Sequence, residues 1–117
     1  MPSTTTYSRG DIVLVSFPFT DLTSTKRRPA LVISPDPFNQ LNQDLILAAI
    51  SSQISTAGSY SVQVGPNDCE NGALPKVSVI KLTKVFTMSC ALVVKTLCRL
   101  NDRKLVETLL SLRNLYS

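Results

Sequence analysis

Histidine is absent from this 117-residue chain, and that absence excludes more than any residue present implies. Without imidazole, the usual zinc ligand sets and the Ser-His and Cys-His dyads are ruled out. Cysteine is scarce: Cys69, Cys90 and Cys98 form no CxxC pair, and any disulfide scheme leaves one over. That usage fits structural thiols in a reducing, cytoplasmic setting. No apolar run approaches the length of a membrane span, and the first eight residues are polar and hydroxyl-rich, unlike a secretory signal. Internal repeats and low-complexity stretches are also missing. The expectations are no metal, no cofactor and no membrane.

What is present describes one small domain. Hydrophobic residues make up 44% of the chain and charged residues 17%, enough to bury a modest core. Twelve Lys and Arg against eight Asp and Glu give a net charge of +4, which favours an anionic partner. Residues 1–8 are read as a tail and 9–117 as the domain. Short β-branched runs predict strands at Ile12–Val15, Ala30–Ile33, Leu45–Ile50, Tyr60–Val64, Val77–Phe86 and Thr96–Leu100. Ser34-Pro35-Asp36-Pro37 is a break, Ala57-Gly58-Ser59 a turn, and Ser89–Lys95 fits either a short helix or a strand. Asn101-Asp102 offers a helix N-cap, and the apolar spacing from Leu105 to Tyr116 follows a 3.6 period. The fold class is mainly β: a small barrel with a C-terminal helix.

Between the first two strands runs a polar segment ending in Lys26-Arg27-Arg28-Pro29. Pro29 biases Arg28 toward extended geometry, so the expected position of Arg28 is a loop–strand junction. A planar guanidinium grips phosphate with two hydrogen bonds, whereas a plain solvated basic loop would have no such task. Lys26 and Arg27 are candidate backbone-phosphate contacts. Ser51 and Ser52 follow the strand ending at Ile50, where a hydroxyl serves either a phosphate oxygen or a backbone cap. Lys81 and Thr83 share a strand face, with Lys76 shortly before and Lys84 just beyond. Phe17, Phe19 and Phe38 are candidate base-stacking rings, or else core anchors.

The run Arg9-Gly10-Asp11-Ile12-Val13-Leu14-Val15, with Phe17 and then Arg27-Arg28-Pro29-Ala30-Leu31-Val32-Ile33-Ser34, resembles the opening of the MazF/PemK family, toxins of bacterial toxin–antitoxin pairs. Two further blocks are similar to that family in order and spacing: Leu47-Ala48-Ala49-Ile50-Ser51-Ser52-Gln53, and the stretch from Leu74-Pro75-Lys76 through Ser78-Val79 to Thr87. The resemblance implies an SH3-like (CcdB/PemK-like) β-barrel working as a homodimer. It implies an endoribonuclease that cuts single-stranded RNA or mRNA without a metal, leaving a 2′,3′-cyclic phosphate and a 5′-hydroxyl. Its partner would be an acidic antitoxin segment that folds on binding. Arg28 falls on the family's catalytic arginine and Ser51 on its accompanying threonine. A later Arg-x-Asp pair of some members reads Lys81-Leu82-Thr83, which keeps the cation and loses the carboxylate. Two other readings share the fold: a CcdB-like gyrase poison and a non-catalytic SH3-like binding module.

Overall fold

Alternate side chains of the first strand point to opposite faces of a curled sheet, and each face buries its own apolar set. The computed structural model describes residues 6–18, 25–54 and 60–116. Its strands are β1 (Asp11–Pro18), β2 (Thr25–Val32), β3 (Asp44–Ser51), β4 (Ser61–Val64), β5 (Cys69–Glu70), β6 (Ser78–Ser89) and β7 (Val93–Leu100). Helix α1 (Asp36–Leu41) joins β2 to β3, and α2 (Asp102–Tyr116) ends the described chain. All seven strands form one antiparallel sheet in the order β4-β6-β3-β2-β1-β7-β5. The sheet curls into a half-barrel, so the mainly β fold with a C-terminal helix agrees with the sequence reading.

On one face Ile12, Leu31, Ala48, Ile50, Ile80 and Leu100 meet Leu105 and Leu112 of α2. On the other, Val13, Val15, Ala30, Val32, Leu45 and Leu47 are buried, edged by Phe17, Phe86 and Met88. Helix α2 starts at a true cap: the Lys104 N–H donates to Asn101 Oδ1 at 2.8 Å. Its Thr108 is fully buried, and the hydroxyl donates back to the Lys104 carbonyl at 2.8 Å. Lys104 is half-buried and pairs with Glu107 at 3.2 Å.

Strand β6 contributes to both faces by means of a bulge. Ala49 of β3 pairs with Lys81, but its neighbour Ala48 pairs with Val85, leaving Leu82, Thr83 and Lys84 outside the ladder. An odd number of extra residues reverses which alternate side chains point inward. Ile80 and Leu82 therefore pack on the helix side, whereas Phe86 and Met88 pack on the opposite one.

Several boundaries differ from expectation. Strand β2 begins at Thr25, not Ala30, because its backbone pairs with β1: Lys26 opposite Phe17, Arg27 opposite Ser16, Arg28 opposite Val15. The basic cluster is thus in a strand and not at the end of a loop. Ser89–Lys95 divides into a 3-10 turn (Cys90–Leu92) and the start of β7. The short β5 lies outside the strands expected from the sequence. Phe19 and the Ala57-Gly58-Ser59 turn lie outside the described residues.

A buried polar knot ties the chain's start to β2, α1 and β3. Ser34 Oγ donates to Asn39 Oδ1 and accepts from the Ile46 N–H at 3.2 Å. Asn39 Nδ2 donates to the carbonyls of Tyr7 and Ser34, each at 3.0 Å. Asn39→Leu would strand those buried carbonyls and the serine hydroxyl. The expected cost is about 1–3 kcal/mol, read as a lowered urea midpoint with an unchanged slope.

Candidate functional site

Proline decides where the sheet opens. Pro29 has no N–H to donate, and the β2–β3 ladder stops one residue short of it, at Ala30 opposite Ala49. Carried outward by two residues, that register sets Arg28 opposite Ser51. The strands part there, and a cleft of about 370 Å³ lies between the start of β2, the end of β3 and the segment leading into β6.

Lys26, Arg27 and Arg28 form one wall, all exposed. Ser51 and Ser52 end the facing strand, Ser51 half-buried and Ser52 exposed. Lys76 closes the cleft from the third side. None of these four cations makes an ion pair among the described residues, where the bridges are Arg99–Asp11 and Lys104–Glu107. Among the described residues the lining holds no carboxylate. Unpaired like charges around a concave surface raise the local concentration of anions.

Sequence reasoning passed over the apolar part. Ile50, Leu74 and Pro75 also line the cleft, with buried Ser78 behind them. The Ser78 hydroxyl donates to the Lys76 carbonyl at 2.9 Å and so fixes the backbone that carries that lysine. Leu74-Pro75-Lys76 follows a turn at Gly72, whose φ is +149°. A Cβ there would come within 2.0 Å of the Leu97 carbonyl oxygen, and the neighbouring Ala73 N–H bonds that same oxygen at 3.2 Å. Glycine is therefore required for the cleft's third wall to reach β7. The signal was available in Leu74-Pro75-Lys76-Val77-Ser78, but only the lysine was singled out.

Other candidates lie elsewhere. Phe17 shares alternation with Val13 and Val15 and packs against Phe86, ring centroids 5.3 Å apart; it anchors the second core and does not line the cleft. Phe38 is half-buried in α1. Lys81 is half-buried opposite Ala49 and Ser61, three residues further along β6 than Ser78, which lines the cleft. Thr83 is exposed within the bulge, and neither it nor Lys81 joins the lining. The cysteines are not placed for nucleophilic chemistry at this cleft. Cys98 is buried in the core, where desolvation and then the neighbouring Cys69 push its thiol up to about 12, leaving it neutral and unreactive.

The cleft can thus hold a singly or multiply charged anion against guanidinium and hydroxyl donors, with an apolar shelf beside it. Comparisons with known proteins bear on what that anion is. A family model described as PemK-like, MazF-like toxin of type II toxin–antitoxin system matches residues 8–116. No curated protein sequence matches significantly. Among solved structures, the fold is similar to an endoribonuclease from a Mycobacterial species in complex with its cognate antitoxin, at 15% identity and TM-score 0.74, over 97% of this chain and 95% of that one. It is also similar to a MazE–MazF structure from Deinococcus radiodurans, at 19% identity and TM-score 0.73, over 97% and 98% of the two chains. Mycobacterium tuberculosis toxin MazF-mt6 gives 15% identity and TM-score 0.71, over 91% and 95%.

Proposed function

Since the chain belongs to the family of PemK-like, MazF-like toxins of type II toxin–antitoxin systems, we propose that its cleft is the active site of a sequence-specific endoribonuclease acting on single-stranded RNA. The observation that carries this reading is the convergence of Lys26, Arg27, Arg28 and Lys76 with two serine hydroxyls on one cleft, with no carboxylate in its lining among the described residues. Such a lining suits a polyanion whose reactive group is a phosphodiester.

The nucleophile is the substrate's own 2′-hydroxyl. Its oxygen attacks the adjacent phosphorus, the bond to the 5′-oxygen breaks, and a 2′,3′-cyclic phosphate and a 5′-hydroxyl result. The proton lost from the 2′-oxygen and the proton gained by the 5′-oxygen pass through water in the open cleft. The protein aligns the attacking oxygen and stabilises charge on the phosphorane-like transition state. Arg28 supplies most of that stabilisation, and the Ser51 hydroxyl donates to a non-bridging oxygen. Lys26, Arg27 and Lys76 hold flanking phosphates, which makes binding salt-dependent. An acidic antitoxin segment would silence the toxin by occupying the same cations, and the working form is a homodimer. No resident cofactor takes part in this scheme.

The test is incubation of the purified protein with a mixed-sequence single-stranded RNA in EDTA, beside an all-DNA strand. Discrete cuts in the RNA alone, ending in 5′-hydroxyls, are expected. No cleavage by a folded, antitoxin-free protein would sink the proposal.

A further inference from the structure

Strand alternation divides the cleft into two seats. Arg28 alternates with Ala30 and Val32, and Ser51 with Leu45 and Leu47, all four of them in the cluster edged by Phe86. Ile50 belongs to the helix-side cluster instead, together with Leu74. Arg28 and Ser51 therefore share one side of the strand ends, and an apolar shelf of Pro29, Ile50, Leu74 and Pro75 begins on the other. At about 370 Å³ the cleft lies near the small end of ligand pockets, which start at about 300 Å³. It has room for one nucleotide and not for a run of them.

Hydrogen-bonding groups around the shelf are unequally committed. Three acceptors already have donors: the Lys76 carbonyl receives the Ser78 hydroxyl at 2.9 Å, the Ser52 carbonyl receives the Ile54 N–H at 3.1 Å, and Ser51 Oγ receives the Gln53 N–H at 3.1 Å. The last of these leaves the Ser51 hydroxyl proton to point away as a donor. The cationic donors are open: Arg27 and Lys76 are exposed and make no ion pair among the described residues. Lys76 stands two residues from Leu74, on a backbone held by Ser78 and by the turn at Gly72. Its ammonium is tethered beside the shelf.

We infer that the shelf seats the face of one nucleobase beside the scissile phosphate, and that Lys76 selects that base by donating to a keto oxygen, favouring uracil or guanine over cytosine or adenine. This seat rests on the reading of the cleft as an RNA site. A base plane laid on proline and aliphatic carbon takes apolar surface out of water on both sides, and its edge then meets a donor. Uracil presents O4 where cytosine presents an amino group, and guanine presents O6 where adenine presents one. An amino edge against an ammonium sets donor against donor, and leaving both without an acceptor costs more than the contact gains. An ammonium carries three N–H donors, so Lys76 can read the base with one and keep a flanking phosphate on another.

Anisotropy with fluorescein-labelled 2′-O-methyl oligouridylate and oligocytidylate, which lack the attacking hydroxyl, tests the choice without cleavage. Rates on RNAs carrying single U-to-C or G-to-A changes around a cut test it in the reaction. Uridylate should bind at least about fivefold tighter than cytidylate, and one position beside the cut should show the same keto preference in kcat/KM. Lys76→Gln, whose amide both donates and accepts, should bring the uridylate-to-cytidylate ratio to within about twofold. A lysine that met only phosphate would weaken both ligands alike and leave the ratio unchanged. Equal binding of the two oligonucleotides by the parent protein, binding of neither, or an undiminished ratio in Lys76→Gln overturns the keto seat, and RNA cleavage alongside would leave the nuclease reading standing. A Lys76-dependent uridylate preference without cleavage supports the seat and sinks the nuclease reading alone.

Discussion

Arg28→Ala is expected to lower RNA cleavage at least about a hundredfold while leaving stability within about 0.5 kcal/mol of the parent protein. The two halves of that expectation have separate causes. Arg28 is exposed and makes no ion pair among the described residues, so folding loses little when its side chain goes. Its backbone still pairs with Val15, and β2 stays where it is. In the proposed reaction, by contrast, the guanidinium meets charge that develops only at the transition state. Arg28→Lys keeps the charge but loses the two-pronged fork, and should fall between the two. Initial rates on single-stranded RNA, with urea unfolding run in parallel, check both parts. Near-normal cleavage by a folded Arg28→Ala protein would remove this residue from the mechanism.

The second large effect is structural. Gly72→Ala should cost more than about 2 kcal/mol, or else displace the turn that carries Leu74, Pro75 and Lys76. The added methyl would sit 2.0 Å from the Leu97 carbonyl oxygen, which is backbone in β7 and cannot swing aside as a side chain would. The φ of +149° adds strain that any L side chain meets. If the turn shifts to relieve the clash, the Ala73 N–H leaves Leu97 and Lys76 retreats from the cleft. Thermal melts would report the first outcome, and a raised KM on a folded protein the second. A variant with parental stability and parental KM would refute the account of the third wall.

How much of this was readable in the sequence depends on which contacts were local. The strands announced themselves because Ile12–Val15 and Leu45–Ile50 are dense in aliphatic, often β-branched residues, and α2 because its apolar period and Asn101 cap agree. Arg28 and Ser51, which both line the cleft, stand in short-range motifs. What escaped was set by pairing across distance. Nothing about Lys26-Arg27-Arg28 looks like a strand; they become one because β1 offers a backbone partner. The shelf formed by Leu74 and Pro75 exists only because that segment folds back to meet β2 and β3. Phe17 could have been assigned correctly, since it follows Val13 and Val15 at the two-residue period and so had to face the same core. The β6 bulge had no local signal that was recognised: Leu82-Thr83-Lys84 reads as ordinary alternation.

That bulge binds the molecule's fate together. Because β6 gives Ile80 and Leu82 to one apolar cluster and Phe86 and Met88 to the other, neither cluster can come apart while the other stays whole. A sheet with two separately served faces could open one side at a time, as small independent units. Here the same strand also leaves from the segment that carries Lys76 and Ser78, so the cleft is fastened to both clusters at once. The protein is built to unfold as a single cooperative body, with its basic cleft kept or lost together with the whole.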